Sequence, residues 1–176
     1  MTSVSVKNKI RGRAFQTKLA EMAGGMNVGT LGGEDVMHDE FSYEAKTYNK
    51  KAKSYGNKDW VGEKLIRRHF WFHENETSKF LSLVLESPNF ASIVLLRWET
   101  WAGLLQGKYE KHDSVSFHDT VKKFSGNTYM KQAESNCPDG KLPVVVVHTT
   151  GMRHKKDIVM IRRLYWESLL EKLFDK

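Results

Sequence analysis

Residues 143–150 read PVVVVHTT, and four consecutive valines leave little choice of structure. A β-branched run with no polar alternation is buried on both faces, as in the strands of a sheet covered by helices on either side. FLSLVLE (80–86), FASIVLL (90–96) and DIVMIR (157–162) repeat the theme, and helical patterns follow or separate them. The arrangement predicts an α/β fold with a central mixed sheet flanked by helices. At 176 residues the chain fits a single domain, 1–176, large enough to bury a core without disulfides or a structural metal. Its one cysteine, Cys137, excludes an internal disulfide and a cysteine-built zinc site, and beside Pro138 it reads as a bystander thiol.

Organisation follows from spacing. Phe15, Leu19 and Met22 recur at helical intervals within 7–23, and Gly24-Gly25 supplies the stop. Residues 35–38 and 41–47 read as extended segments joined by a polar reversal at His38, Asp39 and Glu40, a β-hairpin. A second, apolar hairpin around Ser87-Pro88-Asn89 leads into a helix through Trp98, Trp101, Leu104 and Leu105. Residues 121–136 predict a helix starting near Asn127. PVVVVHTT and DIVMIR, joined by the basic turn Arg153-His154-Lys155-Lys156, then lead into a helix carrying Trp166, Leu169, Leu170 and Leu173. IVLLRWETWAGLL and IVMIRRLYWESLL are alike enough to raise an internal strand-turn-strand-helix repeat, or a chance match among apolar strands. The tryptophans read as core or interface anchors.

Twenty-eight Lys and Arg against 21 Asp and Glu give a net charge of +7, which suits a polyanionic partner and also a merely soluble surface. From Lys46 to Arg68 eight basic residues face two acids and interleave with Tyr48, Tyr55 and Trp60, so Lys50, Lys51 and Lys53 are candidate phosphate contacts or parts of a solvated face. Lys7, Lys9, Arg11 and Arg13 at the leading end of the first helix, and Arg153, Lys155 and Lys156 in the late turn, are further candidates. No apolar run approaches the roughly 20 residues of a membrane span, and Met1 to Lys9 lacks the apolar core of a secretory signal. The expectation is an intracellular, cytoplasmic protein with no membrane partner.

The stretch with most chemistry is GGEDVMHDEFSYEAK, residues 32–46. In a strand, Glu44 and Lys46 project from one face about 6–7 Å apart along the chain, and pairing across the reversal brings Asp35 toward them. Two acids and a lysine suit phosphodiester hydrolysis: Asp35 and Glu44 hold Mg²⁺, and Lys46 positions the attacking water or the developing charge. A surface ion pair on a hairpin is the competing reading, because an acid two residues before a lysine also occurs at Asp139-Gly140-Lys141. Ser42 shares the face of Glu44 and reads as a hydrogen bond to the site or the scissile phosphate, or as a small polar filler. His38 is either a neighbour of the metal or a solvated turn residue. His69 and His73 stand four apart, without a third ligand spaced to close a zinc site.

RGRAFQTKLAEM, GGEDV followed by FSYEAK, and YMKQAESNCPDGKLPVVVVHTTGMRHKKDIVMIR together resemble the PD-(D/E)xK nucleases, within them the archaeal-type Holliday junction resolvases and their phage relatives. The resemblance covers roughly residues 9–49 and 122–166. It implies a restriction-endonuclease-like core and Mg²⁺-dependent cleavage of four-way DNA junctions by a homodimer, with Mn²⁺ able to substitute, in the host cytoplasm if the source is a phage. Asp35, Glu44 and Lys46 fall on the motif positions, the Ala45 carbonyl faces the metal, and Gln132 lies on the helix beside the site. Two departures stand out. Gln16 replaces the glutamate usual in the first helix, and residues 50–117 interrupt the pattern as an inserted α+β subdomain. A nuclease for other DNA structures and a non-catalytic DNA-binding protein remain the alternatives.

Overall fold

The computed structural model describes residues 4–29, 33–49, 63, 66, 79–117 and 124–175. The first helix, α1, runs Val4–Ala23. It buries Phe15, Leu19 and Ala20, which recur at helical spacing. Gly24, at φ 66°, ends it, and the Gly25 N–H donates back to the Ala20 carbonyl at 2.9 Å. Strands β1 (Met26–Asn27), β2 (Val36–Met37) and β3 (Phe41–Tyr48) then form an antiparallel meander. The hairpin expected around His38–Glu40 is therefore present.

Next come β4 (Lys79–Leu85), β5 (Ile93–Arg97), α2 (Trp98–Leu105) and β6 (Lys111–Phe117). They are followed by α3 (Ser125–Asn136), β7 (Leu142–Thr149), a short 3₁₀ turn (His154–Lys156), β8 (Ile158–Arg162) and α4 (Arg163–Phe174). Among the described residues, eight strands join one mixed sheet in the order β1-β2-β3-β7-β8-β5-β4-β6. Residues 79–117, expected as part of an inserted subdomain, thus extend the central sheet edge to edge through the antiparallel β5–β8 pair. No described helix is long and apolar enough to cross a membrane.

The valine run shows why the sheet has two covered faces. Val144 and Val146 pack with Phe15 and Leu19 of α1, Trp101 of α2 and Trp166 of α4. Val145 and Val147 pack with Met130 and Ala133 of α3 and with Ile66. Each valine is essentially inaccessible, so each contributes about 1.5–3 kcal/mol of burial to the centre of the fold. Trp98, Trp101 and Trp166 are all buried, as anchors of the first cluster.

The two similar segments meet at the middle of the sheet. β5 and β8 pair with Ile93 opposite Arg162, Leu95 opposite Met160 and Arg97 opposite Ile158, which places the units about a local two-fold through Leu95 and Met160. Outward from this pair the order is again symmetric: β4 beside β5 and β7 beside β8, then β6 parallel to β4 and β3 parallel to β7. Arg97 and Arg162 end their strands at matching places, both buried. Arg97 donates to both oxygens of Glu63 at 2.7 and 3.0 Å, and Arg162 donates to Glu134 Oε1 at 2.9 Å.

Candidate active site

Strand alternation puts Glu44 and Lys46 on the α3 face, opposite Val145 and Val147 of β7. Lys46 Nζ donates to Glu44 Oε1 and to Gln132 Oε1, both at 2.8 Å. Tyr129 and Gln132 stand one helical turn apart on α3 and meet the same ammonium, whose Nζ lies 5.7 Å from the Tyr129 ring centre. Asp35 arrives from the other edge. β2 leaves the ladder there, and the Asp35 carboxylate takes over as acceptor: the Ala45 N–H donates to Oδ2 at 2.9 Å.

Gln16, the departure in α1, donates from Nε2 to Asp35 Oδ1 at 2.9 Å. Its amide thus orients the carboxylate, a task that a glutamate, having no donor when ionised, could not perform. A Cβ at Gly29 would lie 2.6 Å from Gln16 Oε1, so a side chain there would push Gln16 off Asp35. Glu21 points elsewhere and pairs with Lys18 on the helix surface.

The electrostatics are those of a carboxylate pair short of positive charge. Burial pushes the Asp35 pKa above the ordinary aspartate range; the Ala45 N–H opposes that, the Glu44 charge adds to it, and Lys46 again opposes it. Glu44 is only 3% exposed, which does not fit a surface ion pair. Its Oε2 is buried with no hydrogen-bond partner among the described residues. A buried carboxylate oxygen left in that state is costly, and a divalent cation with oxygen ligands is the partner that fits it. Asp35, Glu44 and the Ala45 carbonyl are the candidate ligands, and each Asp35 oxygen keeps a lone pair beyond its one hydrogen bond.

Other expected residues divide sharply. Lys9, Arg11 and Arg13 are exposed on α1, and Arg153 and Lys155 are exposed in the turn before β8. Phe15 joins these two basic groups, because its ring packs on His148 and His154 beside the turn. Lys156 instead donates to Glu99 of α2 at 2.8 Å, so its charge is already engaged. Ser42 is buried at 2% exposure, and the Cys137 thiol donates to the Pro138 and Lys141 carbonyls at 3.4 and 3.3 Å. Lys50, Lys51, Lys53, His69 and His73 lie outside the described residues. His38 serves the reversal, its Nδ1 accepting from the Glu40 N–H at 3.1 Å.

Two features had no sequence signal strong enough to single them out. Glu34 is buried beside Asp35, 3.7 Å from Lys141 Nζ, with Oε2 unpartnered among the described residues. His148, His154 and Asp157 converge on the opposite face of the sheet. Comparisons with known protein families, characterised proteins and solved structures find no match to this chain.

Proposed function

We propose that the chain is a Mg²⁺-dependent DNA endonuclease of the PD-(D/E)xK type, with a restriction-endonuclease-like core, that cleaves four-way junctions as a homodimer. The observation that carries this reading is the buried Glu44 carboxylate, one oxygen on Lys46 and the other without a partner among the described residues, with Asp35 held beside it. The local two-fold adds support. Glu44 pairs with Val145 and Lys46 with Val147; at the matching places Val115 pairs with Leu83 and Phe117 with Leu85. Apolar residues therefore serve those register positions in the other half of the sheet, and the charges at 44 and 46 answer to chemistry.

Asp35, Glu44 and the Ala45 carbonyl would hold the metal, which when bound supplies neutralisation of the phosphate charge and a water of lowered pKa. Gln16 fixes the Asp35 carboxylate. Glu44 and Gln132 take two of the three Lys46 N–H donors, leaving the third for a water or a non-bridging phosphate oxygen. The exposed cations of α1 and of the 153–155 turn suit the flanking backbone phosphates. With Val115 and Phe117 at the matching positions of β6, the local two-fold supplies no second copy of the acid–lysine set, so two symmetric cuts call for two chains.

The test is cleavage of a labelled four-way junction beside flapped, nicked and linear duplexes, in Mg²⁺, in Mn²⁺ and in EDTA. Paired, symmetric nicks on the junction alone, abolished by EDTA, are expected. Preferential cutting of flaps or ends would reassign the substrate, and tight binding without cutting in either metal would leave a DNA-binding protein on this fold.

A further inference from the structure

On the face opposite Glu44 and Lys46, three side chains from β7 and the turn that leads into β8 meet at the far end of β7. His148 is the next-to-last residue of that strand, His154 opens the 3₁₀ turn, and Asp157 precedes β8. One donor atom of each lies within 4.8 Å of the other two. Asp157 Oδ1 is 2.6 Å from His148 Nδ1, and Oδ2 is 3.0 Å from His154 Nδ1. The imidazole rings stack with centroids 4.1 Å apart, and Phe15 of α1 closes over both.

The Asp157 side chain is wholly buried, whereas His148 and His154 are 16% and 34% exposed. Its side-chain partners among the described residues are these two imidazoles, with no lysine or arginine. A carboxylate that deep needs positive charge beside it. We propose that His148, His154 and Asp157 form a binding site for a divalent transition-metal ion of the Zn²⁺ class, with the fourth position left to water. Two imidazoles and one carboxylate are a donor set of Zn²⁺, and its tetrahedral ligands stand about 3.4 Å apart, within the span of this cluster. The all-oxygen set at Asp35 and Glu44 is of the opposite character and selects a hard cation.

A metal there ties the exposed Arg153–Lys155 turn to β7. Through Phe15 it also braces the stretch of α1 that carries Gln16. The role is structural and independent of the nuclease reading.

Metal-free protein, stripped with chelator and desalted, is titrated with Co²⁺ followed by visible d–d absorption, then with Zn²⁺ in competition. The wild type should take up one equivalent per chain, displaced by Zn²⁺ and indifferent to a large excess of Mg²⁺. His148→Ala and His154→Gln should each weaken binding by more than the roughly 10–100-fold that loss of a second-shell partner costs. Glu44→Gln should leave it unchanged. His154→Gln lies on a part-exposed turn, so it keeps the test sound if His148→Ala fails to fold. Absence of uptake by the wild type, or uptake that persists in His154→Gln or vanishes in Glu44→Gln, would overturn the site.

Discussion

On either side of the β5–β8 pair a hairpin runs into a helix, each strand end carries a buried arginine clasped by a glutamate, and a parallel strand lies on the hairpin's outer side. The halves differ in what that outer strand carries. β3 sets Glu44 and Lys46 against Val145 and Val147, whereas β6 has Val115 and Phe117 against Leu83 and Leu85. The scaffold tolerates apolar residues at these positions. Glu44 is buried and Lys46 22% exposed, and an ion pair taken out of water is weak evidence for stability, since apolar replacement of a buried pair is often neutral or stabilising by about 1–4 kcal/mol. On the proposed function, stability lies in the repeated frame and the chemistry in β3.

Lys46→Ala should lower junction cleavage by about 10³-fold while the circular dichroism spectrum stays unchanged. Loss of folding instead would make the lysine part of the frame. Arg97→Met should cost about 3–5 kcal/mol in urea unfolding, because Glu63, only 10% exposed, loses both hydrogen bonds from the guanidinium. The matching Arg162→Met should cost less, about 1–3 kcal/mol, because Glu134 is 31% exposed and can reach water. Equal losses would show that the two clasps are equivalent despite that difference.

A smaller effect concerns pH. Asp35 holds its proton to a higher pH than an ordinary aspartate, whose value is about 3.9. In the metal-free protein that shift destabilises the fold above Asp35's folded value, and the loss is relieved as pH falls through it. Protons also compete with metal, so the Mg²⁺ concentration for half-maximal cleavage should rise as pH falls, by at most about tenfold per unit for one proton. A flat profile would remove Asp35 from the metal. The smallest change is expected at the basic turn: Arg153→Ala with Lys155→Ala should flatten the salt dependence of DNA binding by about two units of slope, one per phosphate contact. An unchanged slope would place the DNA elsewhere.

Much of this frame was legible because its signals are local. The valine run, the Gly24-Gly25 stop and the reversal at His38–Glu40 each dictate backbone structure within a few residues, and the structure has all three. Helix α3 begins at Ser125, two residues ahead of the expected Asn127, because the preceding Phe124 is buried in the second cluster and anchors the entry. The short-range part of the site, Glu44 and Lys46 on one strand face, follows from period-two alternation.

Other contacts depend on tertiary placement that no spacing encodes. Gln16 reaches Asp35 across 19 positions, and its amide could be read as a weak ligand but not as the donor it is. The expected insert, 50–117, rests on an interrupted pattern; that its described strands join the central sheet is visible only in the β5–β8 pairing. Ser42 shares the Glu44 face as alternation requires, and its depth of burial, 2% exposed, is set by tertiary packing. His148, His154 and Asp157 follow no metal-ligand spacing, because a strand end and a turn bring them together.

The most direct measurement is calorimetric unfolding of wild type and Glu44→Val/Lys46→Met, each in EDTA and in Mg²⁺. Without metal the variant should melt at or above the wild-type temperature, and Mg²⁺ should raise only the wild type. A variant that melts well below the wild type, together with a wild type indifferent to Mg²⁺, would contradict a metal site and make the Glu44–Lys46 pair a structural element of the sheet.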